Sequence, residues 1–346
     1  MKSLYDISWK VSEEEYRKDP AYSYSTLARF NREGFSKLSS LFDRISSPSL
    51  TFGSMVDTLL TDGEEAFNNR FKIVEFPKLS DALVMVAKRL FDEFPDATSI
   101  SEIDDFDVSR IGIECNYYVS KSYEATRIKN IRRDCEDYFR TLICSQGREI
   151  VSQKDYDDCI AAVDALRTSQ ATEWYFRQDG TDNLERQYQL KFKGSYEDIN
   201  FRCMMDLCVI DHDKKIVHPC DLKTSSHYEW EFPKSFIQWC YYIQAQLYYE
   251  LLRQNMAKDD YFKDFKIDDY TFIVVNRNTL TPLAWKFDGT KCIHDIRYGR
   301  NNEYLCRNWR GIAFELDKYL KESPRVPEGI FEDKPNDITE YLNNQP

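Results

Sequence analysis

Apolar residues recur at helical spacing through the first half of the chain and at strand spacing through much of the second. The run Tyr24-Ser25-Thr26-Leu27-Ala28-Arg29-Phe30 offers hydroxyl caps ahead of Leu27 and Phe30, and predicts a first helix. Ser47-Pro48-Ser49 is an initiation signal. A second helix is expected from about Leu50, with Phe52, Met55, Val56, Leu59 and Leu60 on one face and a stop at Asp62-Gly63. From Ser80 to Arg177 the pattern stays helical, in DALVMVAKRLFDEF, IRRDCEDYFRTLI and YDDCIAAVDALRT.

The character changes after Gln178-Asp179-Gly180. Glu185 to Lys193, Phe201 to Ile210 and Ile216 to Lys223 alternate or run apolar, separated by the turn-rich segments GSYED and DHDKK, and predict three antiparallel strands. Ser235 to Asn255 predicts one long aromatic helix, Tyr270 to Asn276 a buried strand, Ala284 to Phe287 a further strand and Leu305 to Leu320 a terminal helix. With the helical region set aside, the order is α-β-β-β-α-β, a mixed α/β fold with a large helical insertion. The expected organisation is N-terminal helices including the first core helix (1–79), helical insertion (80–178), core sheet and helices (179–325) and a C-terminal extension rich in Pro, Asn and acids (326–346).

Composition narrows the setting. The 346 residues carry 47 Lys+Arg against 59 Asp+Glu, a net charge of −12, which disfavours coating nucleic acid by bulk charge but leaves room for a local basic channel. No run of about 18 apolar residues marks a membrane span. The charged N-terminal stretch lacks the apolar segment of a secretory signal, so a cytoplasmic location is expected. Ten cysteines show no CxxC pair and no zinc spacing, and read as reduced, mostly buried thiols.

The strands carry the chemistry. A DHDKK turn centred between Asp213 and Lys214 sets Asp206 directly opposite Asp221, with Lys223 two residues on and on the same face. A turn within GSYED sets Glu185 near Asp206. Acids gathered on neighbouring strands repel one another unless compensated, and here Asp206 and Asp221 are embedded in apolar runs where carboxylates must be paired or metal-bound. A solvated hairpin with a cross-strand Asp/Lys salt bridge is the alternative. Oxygen ligands without His or Cys suit Mg²⁺ or Mn²⁺ and phosphodiester hydrolysis. In that reading Asp206, Asp221, the Leu222 carbonyl and Glu185 are ligands, Glu185 serving a second ion or the water, and Lys223 activates the attacking water.

Asp206 with Asp221-Leu222-Lys223-Thr224 resembles the PD-(D/E)XK nuclease superfamily, whose restriction-endonuclease-like core has the element order above. Tyr24-Ser25-x-Leu27, Phe52-Gly53-Ser54-Met55-Val56-Asp57, Glu185-x-Gln187 and Gln244 to Tyr248 resemble its exonuclease VIII (RecE) and RecB-nuclease branch of phage type, in order over about residues 22 to 325. The resemblance implies that Gln244 and Tyr248 form a QxxxY motif beside the site, touching Lys223 or the DNA backbone. Where the branch commonly carries His, this chain has Asp57, a further candidate ligand or else a surface acid. Some members hold an iron-sulfur cluster on one upstream and three downstream Cys. Here no Cys precedes Cys115, and Cys292 and Cys306 stand alone, so no cluster is expected.

The implied activity is a metal-dependent DNA exonuclease of phage or bacterial recombination or replication, acting on double-stranded ends or single strands in the bacterial cytoplasm. A homo-oligomer and a single-strand annealing protein are the implied partners. A structure-specific or restriction-like endonuclease is the alternative enzyme, and a catalytically silent DNA- or partner-binding protein the alternative class. Arg127, Lys129, Arg132 and Arg133, then Arg297, Arg300, Arg307 and Arg310 interleaved with Tyr298, Tyr304 and Trp309, are candidate DNA contacts, with ordinary helical surface charge as the other reading.

Overall fold

The computed structural model describes residues 2–42, 48–75, 79–145, 147–177, 180, 183–291, 296–298 and 304–322. The chain forms two compact units, one from residues 1–49 and 164–346 and the other from 50–163. The expected 326–346 extension lies outside the described residues, as do Cys292 and Arg300.

The 50–163 unit is mainly helical. In the Asp81–Glu93 helix, Leu83, Val86, Ala87 and Leu90 form a buried stripe at i, i+3, i+4 and i+7. It packs on Ile131, Cys135 and Phe139 of the Glu124–Cys144 helix. Two short strands, β1 (Phe71–Val74) and β2 (Glu149–Ser152), pair in parallel. The Pro48–Thr61 helix, expected to open the sheet core, falls almost wholly in this unit. It ends ahead of Gly63, whose φ of 83° suits glycine.

The other unit is built on a mixed sheet. Strands β3 (Leu184–Tyr196), β4 (Ile199–Asp211) and β5 (Ile216–Ser225) run antiparallel in turn. The short β6 (Lys266–Ile267) pairs with β5, and β7 (Tyr270–Asn276) lies parallel to β5 with β8 (Leu283–Phe287) antiparallel on its far side. Every residue of β7 is buried, as its apolar Phe272 to Val275 run suits an interior strand. The β5-to-β7 crossover carries the helices Phe232–Gln238 and Tyr241–Met256, completing the β-β-β-α-β run expected of a mixed α/β core. Tyr242, Ile243, Ala245, Leu247, Leu251 and Leu252 of the second helix are buried together with Phe192, Phe201, Cys203, Met205 and Phe272 of the strands.

Several elements depart from expectation, β2 within the expected helical stretch among them. The single Ser235–Asn255 helix is interrupted, because Cys240 adopts a left-handed conformation at φ 58° and closes the first helix through its N–H to the Ile237 carbonyl at 3.1 Å. The last helix runs Trp309–Glu322, while β9 (Ile296–Tyr298) and β10 (Tyr304–Cys306) pair antiparallel ahead of it. Eight of the nine described cysteines are buried and all nine are free, which fits reduced thiols. Among the described residues no helix is long and apolar enough to cross a membrane.

Candidate active site

The β4–β5 ladder has the expected register. Its pairs run from Asp211 opposite Ile216 to Leu207 opposite Cys220, and the next positions on either strand are Asp206 and Asp221. Here the ladder gives way to side-chain bonding: the Leu222 N–H donates to Asp206 Oδ2 at 2.9 Å. Asp206 therefore holds the backbone of the Asp221-Leu222-Lys223 segment directly.

Asp221 is 2% exposed, and a carboxylate so buried needs partners. Lys223 Nζ lies 2.5 Å from its Oδ2, and the Gln244 amide donates to its Oδ1. Gln244, itself 3% exposed, projects from the Tyr241–Met256 helix, so the crossover helix and β5 meet at this carboxylate. The Lys223 side chain keeps 20% of its surface exposed. Burial acts to lower its pKa, but the charge of Asp221, helped by Tyr241 and Asp206, outweighs it and holds the amine protonated well above its usual range.

A set of phenols surrounds the pair. Lys223 Nζ sits 4.8 Å from the centre of the Tyr241 ring. Tyr248 lies one helical turn after Gln244, with its ring 6.2 Å from that of Tyr270. Burial pushes the hydroxyls of Tyr248 and Tyr270 well up, and the carboxylates of Asp206 and Asp221 push in the same direction, so both remain proton donors. Gln244 Oε1 and the Tyr270 hydroxyl are buried without a hydrogen-bond partner among the described residues. Tyr24 donates to the Trp239 carbonyl at 2.7 Å, in the break between the two crossover helices.

Glu185 stands apart from Asp206. The β3–β4 turn is the two-residue Glu197-Asp198, flanked by Tyr196 opposite Ile199, with Glu197 at φ 52°. That turn is centred two residues later than the centre that would set Glu185 opposite Asp206, which moves every partner by four. Glu185 is consequently opposite Ile210 rather than near Asp206. It bonds His212 Nε2 at 2.7 Å, Gln187 Nε2 at 2.8 Å and the Ser3 hydroxyl. Asp57 is carried by the Pro48–Thr61 helix of the other unit. Among the described residues no group of three or more His, Cys, Asp or Glu side chains is placed to hold a metal ion.

The basic candidates divide as well. Arg127 is buried, and its guanidinium donates to the Ser109 hydroxyl at 2.6 Å and to the Tyr118 carbonyl, so it serves the helical core and not a DNA surface. Arg132 bonds the Ile103 carbonyl at 2.8 Å and Asp105, Arg133 pairs with Asp134, and Arg307 with Glu315. Lys129 is exposed, and Arg310 lies over the Trp309 and Tyr196 rings. The side chains of Arg297, Tyr298 and Tyr304 lie outside the described residues.

Tyr241, Tyr270 and Tyr24 were not singled out for the site on spacing, although Tyr24 stood in the resembling motif. Tyr241 and Tyr270 differ in nothing from the many core aromatics around them, and only the fold brings them to Lys223 and Asp221.

No family model matches the chain, and no curated protein matches it. Among solved structures it is similar to the crystal structure, at 2.19 Å resolution, of a candidate exonuclease from Eubacterium rectale. The two are 12% identical, over 90% of this chain and 85% of that one, with a TM-score of 0.42.

Proposed function

We propose that this chain is a nuclease that hydrolyses DNA phosphodiester bonds with Mg²⁺ or Mn²⁺, acting as an exonuclease on linear ends. The observation that carries the reading is the convergence of Asp206, Asp221 and Lys223 on adjoining strands, with Gln244 reaching Asp221 from the crossover helix. An Asp/Lys bridge that served only stability would need no second carboxylate on the next strand.

The donor set fits such a cation. Mg²⁺ binds through one or two carboxylates and completes its shell with waters and phosphate oxygens. Gln244 Oε1 and the Tyr270 hydroxyl, buried without partners, are groups that such waters satisfy. When bound, the ion neutralises charge developing on the scissile phosphate and makes a water more acidic. Asp206 and Asp221 hold it in this reading. Lys223 orients the attacking water and donates to the phosphate, Gln244 fixes the angle of the Asp221 carboxylate, and Tyr248 supplies a neutral donor beside them. Neither Glu185 nor Asp57 is required.

Incubation with linear and covalently closed duplex DNA in Mg²⁺ or Mn²⁺ tests the reading. Loss of linear DNA alone supports an exonuclease, and nicking of closed circles points to an endonuclease. Survival of both substrates refutes the proposal in favour of a binding role.

A further inference from the structure

Between β5 and the Phe232–Gln238 helix, the chain presents two rings that the proposed chemistry does not use. Tyr228 and Trp230 are 50% and 57% exposed. Their rings stack nearly parallel, with centroids 4.4 Å apart and planes at 7°. The residue between them, Glu229, is 0% exposed. Its carboxylate accepts from the N–H groups of Asn276 and Thr281 at 3.1 Å each and from the Thr279 hydroxyl at 2.7 Å. Its carbonyl accepts the Trp285 indole N–H at 3.1 Å. One buried acid thus fastens the segment to the β7–β8 turn and to β8, and the residues on either side of it point to solvent. Large rings held open to water on a fixed backbone carry little ordering cost when a flat ligand arrives.

The place of this pair indicates which flat ligand. Two residues on, the Phe232 ring stacks on Tyr241 at 5.7 Å and 14°, and Tyr241 is the ring beneath Lys223 Nζ. The exposed pair thus lies two residues along the chain from a ring that packs beside the candidate active site. Glu231, the other acid of the segment, pairs with Lys234 at 2.7 Å.

We propose that Tyr228 and Trp230 form a stacking platform for the bases of a single-stranded DNA segment leading to Asp206, Asp221 and Lys223. This deepens the nuclease reading and rests on it for the position of the strand. Stacking of this kind tolerates any base, because every base has a π-face, which suits an enzyme that must pass all sequences.

Fluorescence anisotropy of the full chain in EDTA tests it, with labelled oligothymidylate and an abasic strand of equal length as probes. The wild-type chain is expected to prefer oligothymidylate. Tyr228→Ala/Trp230→Ala should lower that affinity about ten-fold, toward the abasic value, while Tyr228→Phe/Trp230→Phe retains it. Equal wild-type affinity for the two strands, or a preference that survives the double alanine change, overturns the platform. No cleavage is needed for this readout. A chain that fails to cut linear DNA yet shows the ring-dependent preference loses the nuclease assignment and keeps the platform.

Discussion

The Asp221 carboxylate is held between Lys223, whose Nζ lies 2.5 Å from Oδ2, and the Gln244 amide on Oδ1. Removing the amine leaves a nearly inaccessible charge without its counter-ion. Lys223→Met should therefore destabilise the fold by on the order of 3 kcal/mol, toward the lower end for a buried pair because part of Lys223 meets solvent. Asp221→Asn/Lys223→Met should recover much of that loss, since the neutral amide needs no cation. Urea unfolding of the single and double variants measures it, and strictly additive losses would contradict the pairing.

Gln244 acts through Asp221, so its removal should affect turnover more than substrate binding. Gln244→Leu is expected to lower cleavage about 10- to 100-fold, the usual effect of losing a group that orients a metal-binding carboxylate. Steady-state kinetics on linear DNA should place the loss in kcat with KM little changed. A change confined to KM would assign Gln244 to the DNA surface instead.

Glu185 offers the sharpest contrast between the chain's pattern and its fold. It is placed opposite Ile210 and bonded to His212, Ser3 and Gln187, partners that hold the fold. Glu185→Ala should leave cleavage within about three-fold of wild type while costing about 1–2 kcal/mol through the unpaired His212. Loss of cleavage in a stable Glu185→Ala protein would restore it to the site.

The acid limb of stability should depend on Asp268. Burial tends to raise its pKa, but Lys286 at 3.0 Å and His218 at 2.8 Å outweigh that and hold the carboxyl below its ordinary range. A folded-state pKa below the unfolded value gives a contribution fully present above about pH 4 to 5 and lost as pH falls through the folded value. Asp268→Asn should flatten the fall in the urea midpoint between about pH 5 and 3. An unchanged slope would contradict the assignment.

The strands and the crossover were legible because their signals are local. DHDKK is a strong turn, and with its centre fixed the Asp206–Asp221 juxtaposition follows from the alternation of a hairpin. GSYED gives a weaker signal. Centres two residues apart are compatible with its composition, and the turn taken, with Glu197 at φ 52°, moves the partner of Glu185 by four residues. The break at Cys240 was not legible, since a left-handed cysteine has no sequence mark when neither Gly nor Asn announces it. Arg127 misleads for another reason: Gly112 leaves room for its side chain, where a Cβ would stand 2.7 Å from the Arg127 Cδ, so a residue read as surface charge is enclosed.

Cleavage of an end-labelled linear duplex in Mn²⁺, by the wild-type chain and by Asp206→Asn side by side, tests the account most directly. Asp206 accepts the Leu222 N–H, and the asparagine carbonyl can keep that bond while removing the charge that the proposed reading assigns to the cation. The account predicts rapid loss of label by wild type and a loss at least about 100-fold slower by a folded Asp206→Asn. Equal rates in the two proteins, or an intact duplex with both, would contradict it.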